Sequence, residues 1–153
     1  MAYDVEVKDL EERLVATVRV KTTPDRIGET FREVMPEVSA QLAAAAVQPP
    51  NPMFAIYHSY SQDEVDMELG LPLPGPIPTE GRVVGHELPA TLAAVTWHHG
   101  SYDTIGEAFR AVEAWIEQEG KERAGPPFEV YWTGPEDDPD PAAWRTEVGY
   151  PIR

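Results

Sequence analysis

The chain repeats itself, and a repeat on this scale restricts the available folds more than any bulk property does. Ile27-Gly28-Glu29-Thr30-Phe31-Arg32 matches Ile105-Gly106-Glu107-Ala108-Phe109-Arg110 at an offset of 78 residues, and Leu14 meets Leu92 at the same offset. Phe54-Ala55-Ile56-Tyr57 then matches Phe128-Glu129-Val130-Tyr131, and Glu68-Leu69-Gly70-Leu71-Pro72 matches Glu147-Val148-Gly149-Tyr150-Pro151. One short match is chance-level; four in the same order across most of the chain indicate an internal duplication. The period is too long for a solenoid unit. With 153 residues, 42% of them hydrophobic, the expectation is a single domain over 1–153 whose repeats, 1–73 and 82–153, share one core across a connector at 74–81.

Local pattern fills in each half. Val5 and Val7, then Leu14 to Val20, read as two strands separated by charged residues, which predicts an opening hairpin. Thr23-Pro24-Asp25 starts a helix carrying Ile27, Phe31, Val34, Val38 and Leu42 on one face, and Pro36 within it predicts a kink or two abutting helices. Strands follow at Met53 to Tyr60 and Asp66 to Leu73, and prolines 72, 74, 76 and 78 mark the connector. The second half repeats this plan with strands at Val83 to Leu88 and Thr91 to His98, a helix from Tyr102 to about Glu119 capped by Ser101, and strands at Phe128 to Thr133 and Trp144 to Ile152. Each half is thus β-α-β-β with an extra leading strand.

The formal net charge of −15 repels a phosphate backbone, so direct nucleic-acid binding is not expected and cationic partners are favoured; the same charge also serves solubility. No cysteine is present, which removes disulfides and thiolate chemistry. The N-terminal stretch has no apolar run of signal-peptide length and no segment approaches a membrane span, so a cytoplasmic location is expected. The acidic residues between Gly134 and Pro141 lack the spacing of a calcium loop and read as a solvated hairpin loop; no metal and no cofactor is assigned. His98 and His99 are adjacent and would point to opposite faces of a strand, and His99, Ser101 and Asp103 sit at a turn and a cap rather than at a nucleophile elbow.

The candidate seat of chemistry is the strand at Phe128, where alternation puts Phe128, Val130 and Trp132 on one face and Glu129 with Tyr131 on the other. Glu129 replaces Ala55 of the first half, so it is not part of the repeated plan, whereas Glu68 and Glu147 are matched and read as framework. On residue type alone Glu129 reads equally as a rim glutamate facing water. Trp97, Tyr102, Tyr57 and Tyr131 could wall a cation site, where ring faces and one carboxylate supply the attraction, or could be ordinary core. Trp115 reads as core.

Gly100-Ser101-Tyr102, Phe128-Glu129-Val130-Tyr131 and Thr146-Glu147-Val148-Gly149-Tyr150-Pro151-Ile152, together with the duplication, give the chain a resemblance to the GyrI-like family, the AraC- and BmrR-type effector-binding domains. It departs at Ser101, where many members have proline. The resemblance implies an α+β fold of duplicated β-α-β-β (SHS2-like) halves, with antiparallel strands and two main helices around a central cleft. It further implies binding of lipophilic, often cationic or aromatic small molecules there, with Glu129 as the buried carboxylate and Tyr102 and Tyr131 as wall residues; Trp97 and Tyr57 are added from strand direction and repeat position. Many relatives carry a DNA-binding domain in addition, so this chain reads as a stand-alone member related to transcription regulation. Two other activities occur among stand-alone relatives. One is hydrolysis of cyclopropane-bearing genotoxins, for which Glu129 would be the general base with Tyr102 or Tyr131 as hydrogen-bond donor; the other is a gyrase-inhibitor-like protein interaction.

Overall fold

A computed structural model describes residues 3–45, 52–77, 81–134 and 138–153. The architecture is α+β, with antiparallel strands β1 (Glu6–Leu10), β2 (Arg13–Thr22), β3 (Met53–Tyr60), β4 (Val65–Pro72), β5 (Val84–Leu88), β6 (Thr91–His99), β7 (Phe128–Thr133) and β8 (Arg145–Ile152), and helices α1 (Ile27–Ala44) and α2 (Ile105–Gln118). The chain forms two compact units, one of Met1–Glu11 with Ala90–Arg153 and the other of Glu12–Pro89. In the first, β6 pairs with β1 and β8, and β8 with β7; in the second, β2 pairs with β5 and β4, and β4 with β3.

These units cut across the two repeats, and the opening hairpin does not form: β1 pairs with β6 and β5 pairs with β2. The connections explain it. Only Glu11 and Glu12 separate β1 from β2, and only Pro89 and Ala90 separate β5 from β6. A two-residue hairpin needs positive φ, which favours Gly, Asn or Asp, and neither pair provides it. Each leading strand therefore pairs with the strand that opens the other repeat.

The registers carry the duplication into three dimensions. Leu10 faces Thr91 as Leu88 faces Arg13, Val15 faces Pro72 as Ala93 faces Pro151, and Phe54 faces Gly70 as Phe128 faces Gly149. Even the irregularities match, with a bulge between Tyr57 and Ser59 in β3 and between Tyr131 and Thr133 in β7. Gly70 and Gly149 recur because neighbouring backbone leaves no room for a side chain; a Cβ at Gly149 would stand 2.7 Å from the Ala94 carbonyl oxygen, and one at Gly70 would overlap that of Ala16.

Buried residues four apart place each helix on its sheet: Thr30, Val34, Val38 and Leu42 on α1, and Ala108, Val112 and Ile116 on α2. Pro36 does not divide α1, which is one continuous helix. Pro36 and Arg32 both face solvent, so water can satisfy the Arg32 carbonyl that loses its intrahelical partner. Under α2 the core joins Ala94 of β6 with Val148, Tyr150 and Ile152 of β8, and Tyr3, Val5, Phe109 and Trp115 pack against it. The even-numbered residues of β6 and β8 therefore face α2, and the odd-numbered ones face away.

On the face away from the helix each unit buries a glutamate at the same repeat position. Glu68 accepts from Thr17 Oγ1 at 2.7 Å, and its other contacts are His58 Nε2 at 2.8 Å and His86 Nε2 at 2.6 Å. Glu147 is held by Lys8 Nζ at 2.7 Å and Trp132 Nε1 at 3.4 Å. The partners correspond too: Lys8 and His86 come from the exchanged leading strands, Trp132 and His58 from the bulges. Burial pushes the Glu68 carboxyl up, but the hydrogen bonds from Thr17, His58 and His86 outweigh it and hold the group below its ordinary value. A carboxyl with a depressed folded pKa adds stability above its unfolded value of about 4.3, and loses it as pH falls through the folded value. Urea unfolding at pH 7 and at pH 3 is expected to show an acid loss of stability that is smaller in Glu68→Gln.

Candidate functional site

The turn that starts α2 positions the first wall residue. Ser101 Oγ accepts from the Asp103 amide at 3.1 Å, capping the 3-10 turn Tyr102–Thr104, and the Gly100 amide donates to the Trp144 carbonyl at 2.9 Å, tying the turn to the start of β8. His98 is 2% exposed and spent on structure: its Nδ1 lies 3.0 Å from the Tyr3 hydroxyl and its Nε2 2.8 Å from the Ser101 carbonyl. This fixes the rim from which Tyr102 projects.

The second part comes from β7. Glu129 pairs with Val148 and Tyr131 with Thr146, both even-numbered residues of β8, so Glu129 and Tyr131 lie on the α2 side of the sheet. Glu129 is not a rim glutamate: it is 6% exposed and accepts a hydrogen bond from the Tyr131 hydroxyl. The Tyr131 ring meets Tyr102 edge-on at 5.9 Å, and Tyr102 stacks on Trp144 at 5.1 Å with planes 30° apart. Trp144 is anchored in turn, its Nε1 donating to the Asp138 carbonyl at 2.7 Å. Gly134 approaches the wall so closely that a Cβ there would stand 2.9 Å from the Tyr102 hydroxyl. The result is one contiguous set, Glu129, Tyr131, Tyr102 and Trp144, joining a buried carboxylate to three aromatic rings.

Of the two other expected wall residues, one lies on the opposite face of the sheet and one belongs to the other unit. Trp97 faces Glu147 and so points away from α2 and from Glu129, next to Trp132 at 6.1 Å and beneath the Arg145 guanidinium at 5.5 Å. Alternation allows no other outcome, since Trp97 and Glu129 stand on opposite-parity positions of one ladder. Tyr57 belongs to the other unit, where its ring meets Tyr60 edge-on at 6.3 Å. It occupies the repeat position of Tyr131, with Ala55 where Glu129 would be.

Trp144 and Thr146 were missed. Thr146 is fully buried between His98 and Tyr131 along the ladder, and its Oγ1 has no partner among the described residues. Buried hydroxyls are normally satisfied, so an orphan on the same face of the sheet as Glu129 marks a place for a ligand atom or water. The signal available in the sequence for both was their position flanking Arg145 at the entry to a glutamate-bearing strand. Among the described residues no group of three or more His, Cys, Asp or Glu could hold a metal, and no helix is long and apolar enough to cross a membrane. The expected acidic loop falls partly on residues 135–137, outside the described residues.

The family model of the GyrI-like small molecule binding domain matches residues 3–153. The chain belongs to that family and is a small-molecule-binding domain. No curated protein matches it. Among solved structures, the EcmrR C-terminal domain is 24% identical with a TM-score of 0.91, covering 100% of this chain and 99% of that one. EcmrR in its DNA complex is matched at 24% identity and a TM-score of 0.89, over 100% of this chain but 58% of that one, so the chain spans just over half of that regulator. A hydrolase from Listeria innocua is 13% identical with a TM-score of 0.71, covering 99% and 93%. SAV2435, solved with tetraphenylphosphonium bound, is 14% identical with a TM-score of 0.60, covering 100% and 94%. At these identities the structures share the fold.

Proposed function

We propose that this domain binds a lipophilic cation bearing aromatic groups, with Glu129 as counter-charge and Tyr131, Tyr102 and Trp144 as the aromatic wall. The observation that carries the reading is the buried Glu129 carboxylate joined through Tyr131 to stacked rings. A carboxylate away from water attracts a cation that sheds its hydration cheaply, and ring faces add to that attraction. Tetraphenylphosphonium, the cation bound by SAV2435, has this chemistry and is the natural probe. In calorimetric titration, Tyr102→Ala is expected to weaken its binding about tenfold, within the range of a partly desolvated cation–ring contact. Trp97→Ala, on the opposite face, should leave it unchanged; equal losses from both substitutions would remove the site from the α2 side.

A second reading, hydrolysis, is favoured by the direct hydrogen bond between Tyr131 and Glu129, which pairs a proton acceptor with a hydroxyl donor. Glu129 would take a proton from water as its oxygen attacks a cyclopropane carbon. The ring bond would break toward an adjacent carbonyl, whose developing oxyanion Tyr102 would stabilise. Incubation with a cyclopropane-bearing alkylator and detection of the water adduct by mass spectrometry tests this. Equal turnover by Glu129→Gln, or no product above the buffer rate, would exclude it.

A further inference from the structure

Gly134 follows the last residue of β7, at a place where the repeat puts a tyrosine. Continued to the strand ends, the match of Phe54-Ala55-Ile56-Tyr57 to Phe128-Glu129-Val130-Tyr131 carries the two bulges onto one another and sets Tyr60 at the position of Gly134. At the 78-residue offset Pro24 stands at the position of Tyr102.

In both units a ring stands edge-on to the matched tyrosine, but a different element supplies it. In one unit Tyr60, from the end of β3, meets Tyr57 at 6.3 Å with planes 68° apart. In the other Tyr102, from the turn that starts α2, meets Tyr131 at 5.9 Å with planes 78° apart. The unit that gains the ring at the turn is thus the one that lacks the side chain at the strand end.

Local geometry links the two changes. Positive φ among the described glycines is confined to Gly81, Gly100 and Gly120, so the Gly134 backbone does not itself call for glycine. Chain neighbours aside, the Tyr102 hydroxyl is the one described atom within 4 Å of a Cβ placed at Gly134, and it would stand at 2.9 Å. The backbone there is tied. The Asp138 amide donates to the Gly134 carbonyl at 3.1 Å, and the Asp138 carbonyl accepts from Trp144 Nε1 at 2.7 Å. Thr133 Oγ1 accepts from the Arg145 amide at 2.8 Å and donates to the Ala143 carbonyl at 3.0 Å. One bonded loop therefore fixes both Gly134 and the indole on which Tyr102 stacks, and a side chain at 134 would displace the far end of Tyr102.

We propose that Gly134 is the positioning residue of the aromatic wall: its missing side chain lets the Tyr102 ring lie between Trp144 and Tyr131, where it meets the ligand. This rests on the reading of Tyr102 as a contact of the bound cation, and it adds to that reading a determinant that does not touch the ligand.

The test is a double-mutant cycle between Gly134→Ala and Tyr102→Phe, read by calorimetry with tetraphenylphosphonium, by urea unfolding and by the NMR shifts of the ring at position 102 in the free full chain. Gly134→Ala is expected to weaken binding about fivefold, less than Tyr102→Ala because the ring is displaced and not removed. Its urea midpoint should be unchanged or slightly raised. Tyr102→Phe takes away the clashing oxygen, so the double variant should bind within about twofold of Tyr102→Phe alone. The ring shifts should follow: the indole ring-current effect on the ring at 102 is lost in Gly134→Ala and returns in the double variant. Binding by Gly134→Ala equal to that of the wild type, a loss that persists in the double variant, or a lowered urea midpoint that Tyr102→Phe does not restore would overturn the proposal. If the wild type does not bind the cation, the reading of the site fails, and the ring shifts of the free protein still decide whether Gly134 positions Tyr102.

Discussion

Glu129→Gln is expected to weaken the binding of tetraphenylphosphonium by about 2 kcal/mol or more, roughly thirtyfold in Kd. Glutamine keeps the shape and an oxygen to accept from Tyr131, so the substitution removes the charge while sparing the hydrogen bond that orders the wall. The size of the effect follows from burial: at 6% exposure the carboxylate is little screened, and its attraction for a cation is correspondingly stronger than at the surface. Calorimetry on the two proteins checks it, with an uncharged aromatic ligand of similar size as control. The control should bind both alike.

The largest expected change in stability is from Glu68→Leu, about 2–3 kcal/mol in urea unfolding. That carboxylate gathers Thr17, His58 and His86 from three other strands of its unit, so its loss removes three hydrogen bonds at once and leaves Thr17 Oγ1 with His86 Nε2, 3.1 Å away. Glu147→Leu should cost clearly less, because its cationic partner Lys8 has a side chain 41% exposed that can return to water. Equal losses at the two positions would mean that the repeat, and not the partners, sets the energetics.

Much of this architecture was legible in the sequence. β3 and β7 begin and end where alternation and flanking prolines place them, and the pairing of Phe54 with Gly70 and of Phe128 with Gly149 repeats what the sequence matches imply. Glu129 and Tyr131 share a face because the strand is regular up to its bulge, and Tyr102 follows from the Ser101 cap. What alternation could not supply was the partner of each strand. Nothing local in Glu6–Leu10 states that it pairs with β6 rather than β2; that depends on Glu11-Glu12 being unable to turn. Strand direction within β6 alone groups Trp97 with Glu129, and only the β6–β8–β7 ladder reveals their opposite parity. His58 and His86 meet Glu68 from strands on either side of it, a convergence that sequence spacing does not encode. Trp144 and Thr146 escaped for the same reason, since each matters through what it touches across the sheet.

The central claim is that the ligand sits against the α2 side of the sheet, on Tyr102 and Tyr131 beside Glu129. The most direct measurement is the set of NOEs between the phenyl protons of bound tetraphenylphosphonium and the aromatic side chains of the full chain. The account predicts cross-peaks to Tyr102, Tyr131 and Trp144 that weaken with the affinity loss in Glu129→Gln. Cross-peaks to Trp97 and Trp132 instead, or binding that yields none to the Tyr102–Tyr131 pair, would contradict it.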